Sequence, residues 1–552
     1  MFSGFGRDQV NPFDLTGNHQ ASGRSDHLAF RWLGRCGEVR DFTYAQLDQA
    51  AETWAAMLQR LGIRPGDVVA VMTGRRPETV VAALGIWKAG GVYCPLFRDL
   101  GPDLLQARLI LGKVRWLIAA GEAFDDVIGP VRDKVAGLQG VLLTGPAPVA
   151  GTLHLEDELR ATPQAGSFSR PDGPGGMLHF TSGSTAPLVA GLGQPKAVIH
   201  AGEVVNFIAN TTGQVFALTP QDLMWCMAEP GWVTHTAYGL IAPLVCGASL
   251  LMDEGACRPP RCLAVLEDHP ITVWYSSPAV IRGLMGGGVA LARRYRPRAL
   301  RLAASVGEPL SADAAQWGAD VLGVPFRDSW WQTETGGIVL GHGPSEPPRP
   351  GCMGRPLRGM EVALAQRPED GGAVILAGSG SAIGELAVKV SCLAPWQSLG
   401  GEPGALAEVV DGWHLTGDRV RRDEDGYYSF LGRKDEVIKT GGRTIGPFEV
   451  ERALLGHPAV AEVGVVGQPD LSLNERIVAF VAVNPGFQPG PLLREELRAY
   501  AGKHLGAALA PHDIEFTQDL PRTPNGKIIR RYLRERLAVS KHSQSATASV
   551  RW

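Results

Sequence analysis

The 552-residue chain has no long basic run, and 53 lysines and arginines against 56 aspartates and glutamates leave a formal net charge of −3. That balance provides no electrostatic footprint for nucleic acid or for an anionic membrane surface. An uninterrupted apolar stretch of membrane-spanning length is also missing. The longest apolar region, Thr236 to Met252, is broken by Gly239, Pro243 and Gly247 and reads as buried core. The opening residues, MFSGFGRDQVNPFDL, hold no apolar signal core, so no secretion signal is expected. Cysteine is sparse: the eight thiols at 36, 94, 226, 246, 257, 262, 352 and 392 are scattered, mostly among apolar neighbours. A reduced thiol in such surroundings behaves as a small hydrophobe. Cys257 and Cys262 flank RPPR, but no second Cys or His pair accompanies them, which argues against zinc. Nor is there a short-period repeat. What is left is the composition of an ordinary globular protein, 45% hydrophobic and 20% charged, read as cytoplasmic and reduced and long enough for several domains.

Elements alternate along the first half. Thr43 and Gln46 form a capping box, Phe42 and Leu47 a hydrophobic staple, and Gly62 a stop, which together predict a helix within 42–62. A strand (Val68–Met72), an apolar helix (Glu78–Lys88), a strand ending at Phe97 and another at Val114–Ala119 follow, the order of a parallel α/β sheet. The pattern resumes at Val204–Phe216, Leu223–Met227, Tyr238–Leu251 and Val273–Tyr275. Near 345–400 short Val/Ile/Leu segments broken by Gly and Pro predict a smaller β-rich subdomain. Beyond Lys434 the alternation returns compactly, with strands at Val460–Val466 and Arg476–Val483 and an amphipathic helix at Leu492–His504. The fold class is therefore α/β: a large multi-subdomain N-terminal domain with parallel sheets and a β-rich subdomain (1–433), and a small mobile α+β C-terminal domain (434–540). Residues 541–552 are polar and small and are expected to be a disordered tail.

The chemistry-bearing stretch is Leu178–His200, LHFTSGSTAPLVAGLGQPKAVIH. An apolar entry leads into Thr181, Ser182, Gly183, Ser184 and Thr185, and the exit passes Lys196. A strand feeding a Gly/Ser/Thr loop exposes backbone N–H groups and hydroxyls with little bulk around them, which suits a polyphosphate balanced by a lysine. There is no GKS/T at its end, so it is not a Walker loop. Further clusters follow in order: ASVGEPL at 304–310, DSWWQTETG at 328–336, LTGD at 415–418, GRKDEVIKTGG at 432–442 and PRTPNGKIIRR at 521–531.

The order and wording of these segments resemble the adenylate-forming superfamily of acyl-CoA synthetases, nonribosomal adenylation domains and luciferases, over about residues 27–537. PGWVTHTAYGLIAPL at 230–244, VWYSSPAVIRGLM at 273–285 and the SVGEPL and DSWWQTETG segments are most similar to acetate–CoA ligases of the shorter bacterial form. The resemblance implies ATP, Mg²⁺ and coenzyme A as co-substrates and cofactor. Thr181, Ser182, Gly183, Ser184, Thr185 and Lys196 would hold the ATP phosphates. Gly307, Glu308 and Pro309 would border adenine, with Asp328, Ser329 and Trp330 completing that wall, and Gln332 would join the nucleotide site. Thr333 would contact the α-phosphate, and Glu334 would hold Mg²⁺, a hard cation suited to carboxylate and phosphate oxygens. Asp418 and Arg433 would bind the ribose diol, one accepting and the other donating. Lys527 would be the catalytic cation between the attacking carboxylate and the α-phosphorus, where two anions must meet.

By the same resemblance Val233, Thr234, Val306 and Trp331 would line the acyl pocket, the Trp331 indole filling the volume a longer acid needs. Selection by volume is worth about 1–3 kcal/mol per methylene. Asp435 matches the hinge about which the C-terminal domain rotates between half-reactions, and Gly441 and Gly442 match the segment that then approaches the thioester-forming centre. The implied partners are small-molecule substrates, with no nucleic acid and no membrane, and a protein acyltransferase or deacylase acting on Lys527.

Three features depart from the pattern. Ala186–Leu192 (APLVAGL) intervenes between TSGST and the PK pair, either bulging outward, as loops tolerate, or disturbing the phosphate cradle. Thr444 stands where a phosphate-contacting arginine is usual, with Arg443 one position earlier, and His235 replaces a usual glycine beside the acyl wall. The expected activity is an AMP-forming acyl-CoA synthetase for acetate or a similar short carboxylate. The alternatives are a ligase for propionate or another small acid, and a non-catalytic nucleotide-binding homologue disabled by the loop insertion.

Overall fold

The computed structural model describes residues 13–145, 148–163, 175–181, 188–189, 192–193, 196–366, 374–376, 380–399, 408–434, 436–440, 443–470, 473–505, 509–522 and 528–537. The chain divides into two compact units. The first runs to Pro350 and includes Gly354–Glu361 and Lys389–Gly412; the second takes Gly351–Met353, Val362–Val388 and the chain from Trp413 onward.

Two sheets build the first unit. The eight-stranded sheet has the order Trp396–Leu399, Lys196–Ala201, Gly176–Thr181, Val92–Pro95, Val68–Met72, Val114–Ala120, Gly140–Thr144, Leu153–His154. In the seven-stranded sheet the order is Phe326–Asp328, Leu302–Ser305, Val273–Ser276, Leu223–Cys226, Ser249–Asp253, Leu28–Leu33, Val39–Thr43. Their central strands are buried on both faces, and side-chain alternation sends each face to a different core. Val69 and Val71 point into one apolar cluster while Val68, Ala70 and Met72 point into another. Met224 and Cys226 of the second sheet share the cluster of Val69 and Val71, whereas Trp225 and Met227 enter a third. The shared cluster is thus a layer between the two sheets, filled by the helices Tyr44–Arg60, Pro77–Lys88 and Glu203–Val215.

The helix Tyr44–Arg60 begins at the expected capping box: the Thr43 hydroxyl accepts from the Gln46 N–H, and the Gln46 side chain accepts from the Thr43 N–H. Leu61 ends it and Gly62 follows at φ +87°, a conformation that favours glycine. The strand Val68–Met72 has the expected bounds.

Two expectations are refined. The Tyr238–Leu251 segment is not one element: helical turns at His235–Ile241 and Ala242–Val245 precede the strand Ser249–Asp253, and Gly247 at φ +72° makes the turn between them. The large sheet is also not wholly parallel. Lys196–Ala201 runs antiparallel to both Gly176–Thr181 and Trp396–Leu399, because a hairpin connection returns the chain beside the strand it left.

In the second unit, Val362–Gln366, Ala382–Lys389, Trp413–Arg422 and Tyr428–Arg433 belong to a β-rich sheet. A second sheet has the order Arg443–Ile445, Ile438–Thr440, Asn474–Val483, Val460–Asp470, with Asp513–Phe516 parallel to Asn474–Val483. The helices Pro447–Leu455 and Pro491–Leu505 contribute Val450, Leu454, Leu493 and Leu497 to its apolar core. The pair Val460–Asp470 and Asn474–Val483 outruns its apolar stretches, its ladder extending through Gln468, Pro469 and Asp470 to Asn474. The tail expected at 541–552 lies outside the described residues. No helix among the described residues is long and apolar enough to cross a membrane.

Candidate active site

At the hydroxyl-rich loop, Thr181 ends one strand and Lys196 opens the next, and the two are paired Cα partners across an antiparallel ladder. Between them Leu188–Val189 pairs antiparallel with Leu192–Gly193, so part of the inserted APLVAGL stretch forms a small hairpin of its own. The insertion therefore leaves the register of the two flanking strands intact. Ser182, Gly183, Ser184 and Thr185 lie outside the described residues.

The strands Leu302–Ser305 and Phe326–Asp328 are parallel neighbours, which brings ASVGEPL and DSWWQTETG together. Asp328 is the tie. Its carboxylate accepts from the Ser305 hydroxyl at 2.8 Å, the Leu310 N–H at 3.0 Å and the Ser329 N–H at 3.0 Å. Burial pushes its pKa up to about 7 against the lowering effect of these three donors. Between the tied ends, Gly307 is exposed at φ +94° with open space where a Cβ would stand, and Glu308 and Pro309 are half-buried. Arg282 donates to Glu308 Oε2 at 2.8 Å, while Oε1 is buried with no hydrogen-bond partner. Ser329 donates to the Ser305 carbonyl at 2.8 Å, and its hydroxyl lies 2.8 Å from that of Tyr275.

Trp330 pairs with Leu340 through the backbone. The chain then turns through Gln332, Thr333 and Glu334, all half-buried. Thr335, fully buried and unassigned from the sequence, locks this turn: its hydroxyl accepts from the Gln332 N–H and lies 2.9 Å from the Gln332 and Gly337 carbonyls. A second unassigned residue, His200, sits on the strand opened by Lys196 with its Nε2 2.7 Å from the Thr333 carbonyl and its Nδ1 3.3 Å from that of Pro395. Burial lowers its pKa, against the raising effect of the two carbonyl contacts. The strand Lys196–Ala201 thereby positions the Thr333 turn. No local sequence signal marks a contact across 133 residues.

Of the four residues expected at the acyl wall, Val233, Val306 and Trp331 belong to one buried apolar core and Thr234 is half-buried at its border. Trp331 stands edge-on to Tyr238, ring centroids 5.2 Å apart, and Tyr238 is anchored by the Ile338 N–H at 2.7 Å and the Thr211 hydroxyl at 2.9 Å. His235 is 3% exposed, neither ring nitrogen makes a hydrogen bond of good geometry among the described residues, and burial followed by the Arg75 charge drives its pKa down to about 4 against a weaker raising effect of the Ala228 backbone. It packs as a neutral ring in the core.

In the second unit Asp418 and Arg433 are register partners on neighbouring strands, and Arg433 donates to Asp418 Oδ1 at 2.8 Å and to the Thr416 carbonyl at 3.0 Å. Glu385 supports the turn before Asp418 by accepting from the Gly417 N–H at 2.9 Å. Gly417, at φ +74°, leaves room for the guanidinium, because a Cβ there would stand 2.8 Å from it. Lys527 lies outside the described residues, but both flanks of its segment are pinned. Arg522 forms a β-bridge with Ile528, and Arg530 donates to Glu451 at 2.6 and 2.8 Å and to Glu436 at 3.0 Å. Asp435, Gly441 and Gly442 also lie outside the described residues. Thr444 and Arg443 pair through the backbone with Lys439 and Thr440.

Residues 18–395 match the AMP-binding enzyme family, and residues 449–527 match the AMP-binding enzyme C-terminal domain. The chain belongs to the AMP-binding enzymes. An acetyl-coenzyme A synthetase of Bacillus subtilis (strain 168) is 35% identical over 533 residues, covering 95% of this chain and 89% of that protein. An acetyl-coenzyme A synthetase of Shewanella frigidimarina (strain NCIMB 400) is 34% identical over 92% of this chain and 81% of its own. Among solved structures, an anthranilate CoA ligase in complex with anthranoyl-AMP superposes with a TM-score of 0.84 at 27% identity, covering 97% of this chain and 98% of that one. A benzoate CoA ligase from Burkholderia xenovorans LB400 gives 0.80 at 26% identity, covering 95% and 100%. This AMP-binding enzyme is an AMP-forming ligase, with the α/β architecture expected from its sequence.

Proposed function

We propose that this enzyme converts a short carboxylic acid, acetate foremost, with ATP and coenzyme A into acyl-CoA, AMP and pyrophosphate through an acyl-adenylate. The observation that carries the acid's size is Trp331, whose indole stands against Tyr238 within the apolar core shared by Val233 and Val306. An aromatic ring held in that way would fill the volume that a longer acid needs. The acetyl-coenzyme A synthetases among its relatives support the same reading.

In the first half-reaction Thr181–Thr185 and Lys196 would hold the phosphates, the Asp328-tied loop Gly307–Pro309 would border adenine, and Ser329, Trp330 and Gln332 would complete the nucleotide wall. The unpartnered Glu308 Oε1 gives that wall an acceptor for a donor from outside the chain. Thr333 would meet the α-phosphate, held in place by His200 and Thr335. Asp418 and Arg433, already paired, would divide the ribose hydroxyls between an acceptor and a donor. Glu334 fits a magnesium ion that arrives with the nucleotide, since Mg²⁺ is commonly held by one or two carboxylates plus substrate phosphates. Lys527 would place its charge between the acid carboxylate and the α-phosphorus as the new P–O bond forms and pyrophosphate leaves. In the second half-reaction Asp435 would be the hinge between domains 1–433 and 434–540, and Gly441 and Gly442 would present the coenzyme A thiol to the adenylate. We place the enzyme in the cytoplasm, with Lys527 open to an acyltransferase and a deacylase that would remove and restore its charge.

A carboxylate series tests the acid. With ATP, Mg²⁺ and coenzyme A, AMP and acyl-CoA should form fastest with acetate, slower with propionate, and not detectably with benzoate. Equal rates with propionate and butyrate would overturn the size argument.

A further inference from the structure

Cys257 and Cys262 flank RPPR in the sequence, and their sulfur atoms lie 3.2 Å apart. They bracket the turn that starts the helix Pro259–Asp268; Cys257 is exposed and Cys262 is buried. The turn between them is braced. Arg261 donates to both Asp253 carboxylate oxygens at 2.5–3.1 Å and to the Gly34 carbonyl at 2.8 Å, and the Arg258 N–H bonds to the Ala256 carbonyl. The two thiols are thus presented to each other by a fixed backbone, needing an approach of only about 1 Å to reach a sulfur–sulfur bond. The shared proton, with the Arg75 charge behind it, lowers the Cys257 pKa, while the same contact and burial raise that of Cys262. Cys257 is therefore the thiol that ionises first, and it is the one solvent reaches. Arg75 in turn bonds the Met227 carbonyl at 2.7 Å and Glu229 at 2.8 Å, at the head of the segment that leads to Val233.

We propose that Cys257 and Cys262 form a reversible dithiol–disulfide couple, a modification site whose co-reactant is a low-molecular-weight disulfide. The Cys257 thiolate attacks one sulfur of R–S–S–R, forming a Cys257–S–S–R bond and releasing RS⁻, which takes a proton from solvent. Cys262 then gives its proton to solvent and attacks the Cys257 sulfur, closing the protein disulfide and expelling the second RS⁻. Two thiols are oxidised by two electrons and one small disulfide is reduced to two thiols. The couple rests on the geometry of these residues and not on the ligase reading.

The test uses full-length protein incubated with oxidised glutathione, quenched in acid, alkylated and read by peptide mass spectrometry. Exposed Cys36, for which no sulfur contact is seen among the described residues, serves as the internal comparison. Peptides carrying Cys257 and Cys262 should lose two hydrogens, carry neither glutathione nor alkyl group, and recover both thiols on reduction. Cys36 should carry glutathione. In Cys262→Ser the adduct on Cys257 should persist, whereas in wild type it should be transient. A stable glutathione adduct on wild-type Cys257 with Cys262 alkylated, or alkylation of both after oxidation, would overturn the proposal.

Discussion

Lys196 and Thr181 face each other as paired residues on antiparallel strands, with the whole hydroxyl-rich loop and its apolar insertion strung between them. Because the Leu188–Val189 and Leu192–Gly193 pair closes the insertion on itself, removing Ala186–Leu192 shortens a loop without moving the strands that anchor it. Halving a loop changes its closure entropy by about 0.6 kcal/mol. The deletion variant should therefore unfold within a few degrees of wild type and keep its ATP–pyrophosphate exchange to within about tenfold, measured with saturating acetate.

The Asp418–Arg433 pair makes a second prediction. If both groups serve one ribose, Asp418→Asn and Arg433→Ala should each weaken AMP binding by about tenfold or more, the scale of a hydrogen bond to a charged group. The double variant should be little worse than either single one, because each change already leaves its partner misdirected. Isothermal titration with AMP reads this directly, and additive losses would show the two acting separately.

Asp328 ties the ends of the Gly307–Pro309 loop and carries a pKa raised to about 7 in the folded state. A folded pKa above the unfolded value means that the native state binds more protons between about pH 4 and 7, so this group's contribution to stability falls as pH rises through that window. Urea unfolding of Asp328→Asn should lack this component. The variant should also be less stable overall, since an amide nitrogen set against the Leu310 N–H leaves a buried donor unpaired, at about 1–3 kcal/mol.

The buried histidines act in the opposite sense. His179 and His235 have folded pKa values lowered to about 3 and about 4, chiefly by burial. The unfolded chain then binds more protons below about pH 6.5, so stability is lost as pH falls from there toward 4. His235→Leu should resist acid better than wild type while changing neutral-pH stability little, because neither nitrogen of His235 makes a hydrogen bond of good geometry among the described residues. Unfolding midpoints at pH 5 and pH 7.5 compare the two.

Much of this was legible in the residues. Local chemistry specified the helix after Thr43, through its capping box and terminal glycine, and the strand Val68–Met72, through its unbroken apolar run. Ordered motifs specified the family, and parallel pairing of Leu302–Ser305 with Phe326–Asp328 brought two of those motifs together. Part of what the residues could not show depends on distance along the chain. The antiparallel direction of Lys196–Ala201 is set by its connection and its two neighbours, not by its own alternation of side chains. The His200–Thr333 contact joins residues 133 apart, which no local periodicity encodes, whereas the Thr335 lock and the Cys257–Cys262 approach are local turns that hydrophobic periodicity does not mark. Tyr238–Leu251 splits into helical turns and a strand, a division its residues do not mark because fully buried helix and strand have the same apolar composition.

The most direct measurement is acetate-dependent ATP–pyrophosphate exchange with Mg²⁺, wild type beside Lys527→Ala. Strong exchange in wild type that falls by about a thousandfold or more in the variant, with ATP binding retained in both, is the predicted result. Exchange that is undetectable with every short acid despite ATP binding, or that survives loss of the lysine, would contradict the assignment of an adenylating ligase acting through Lys527.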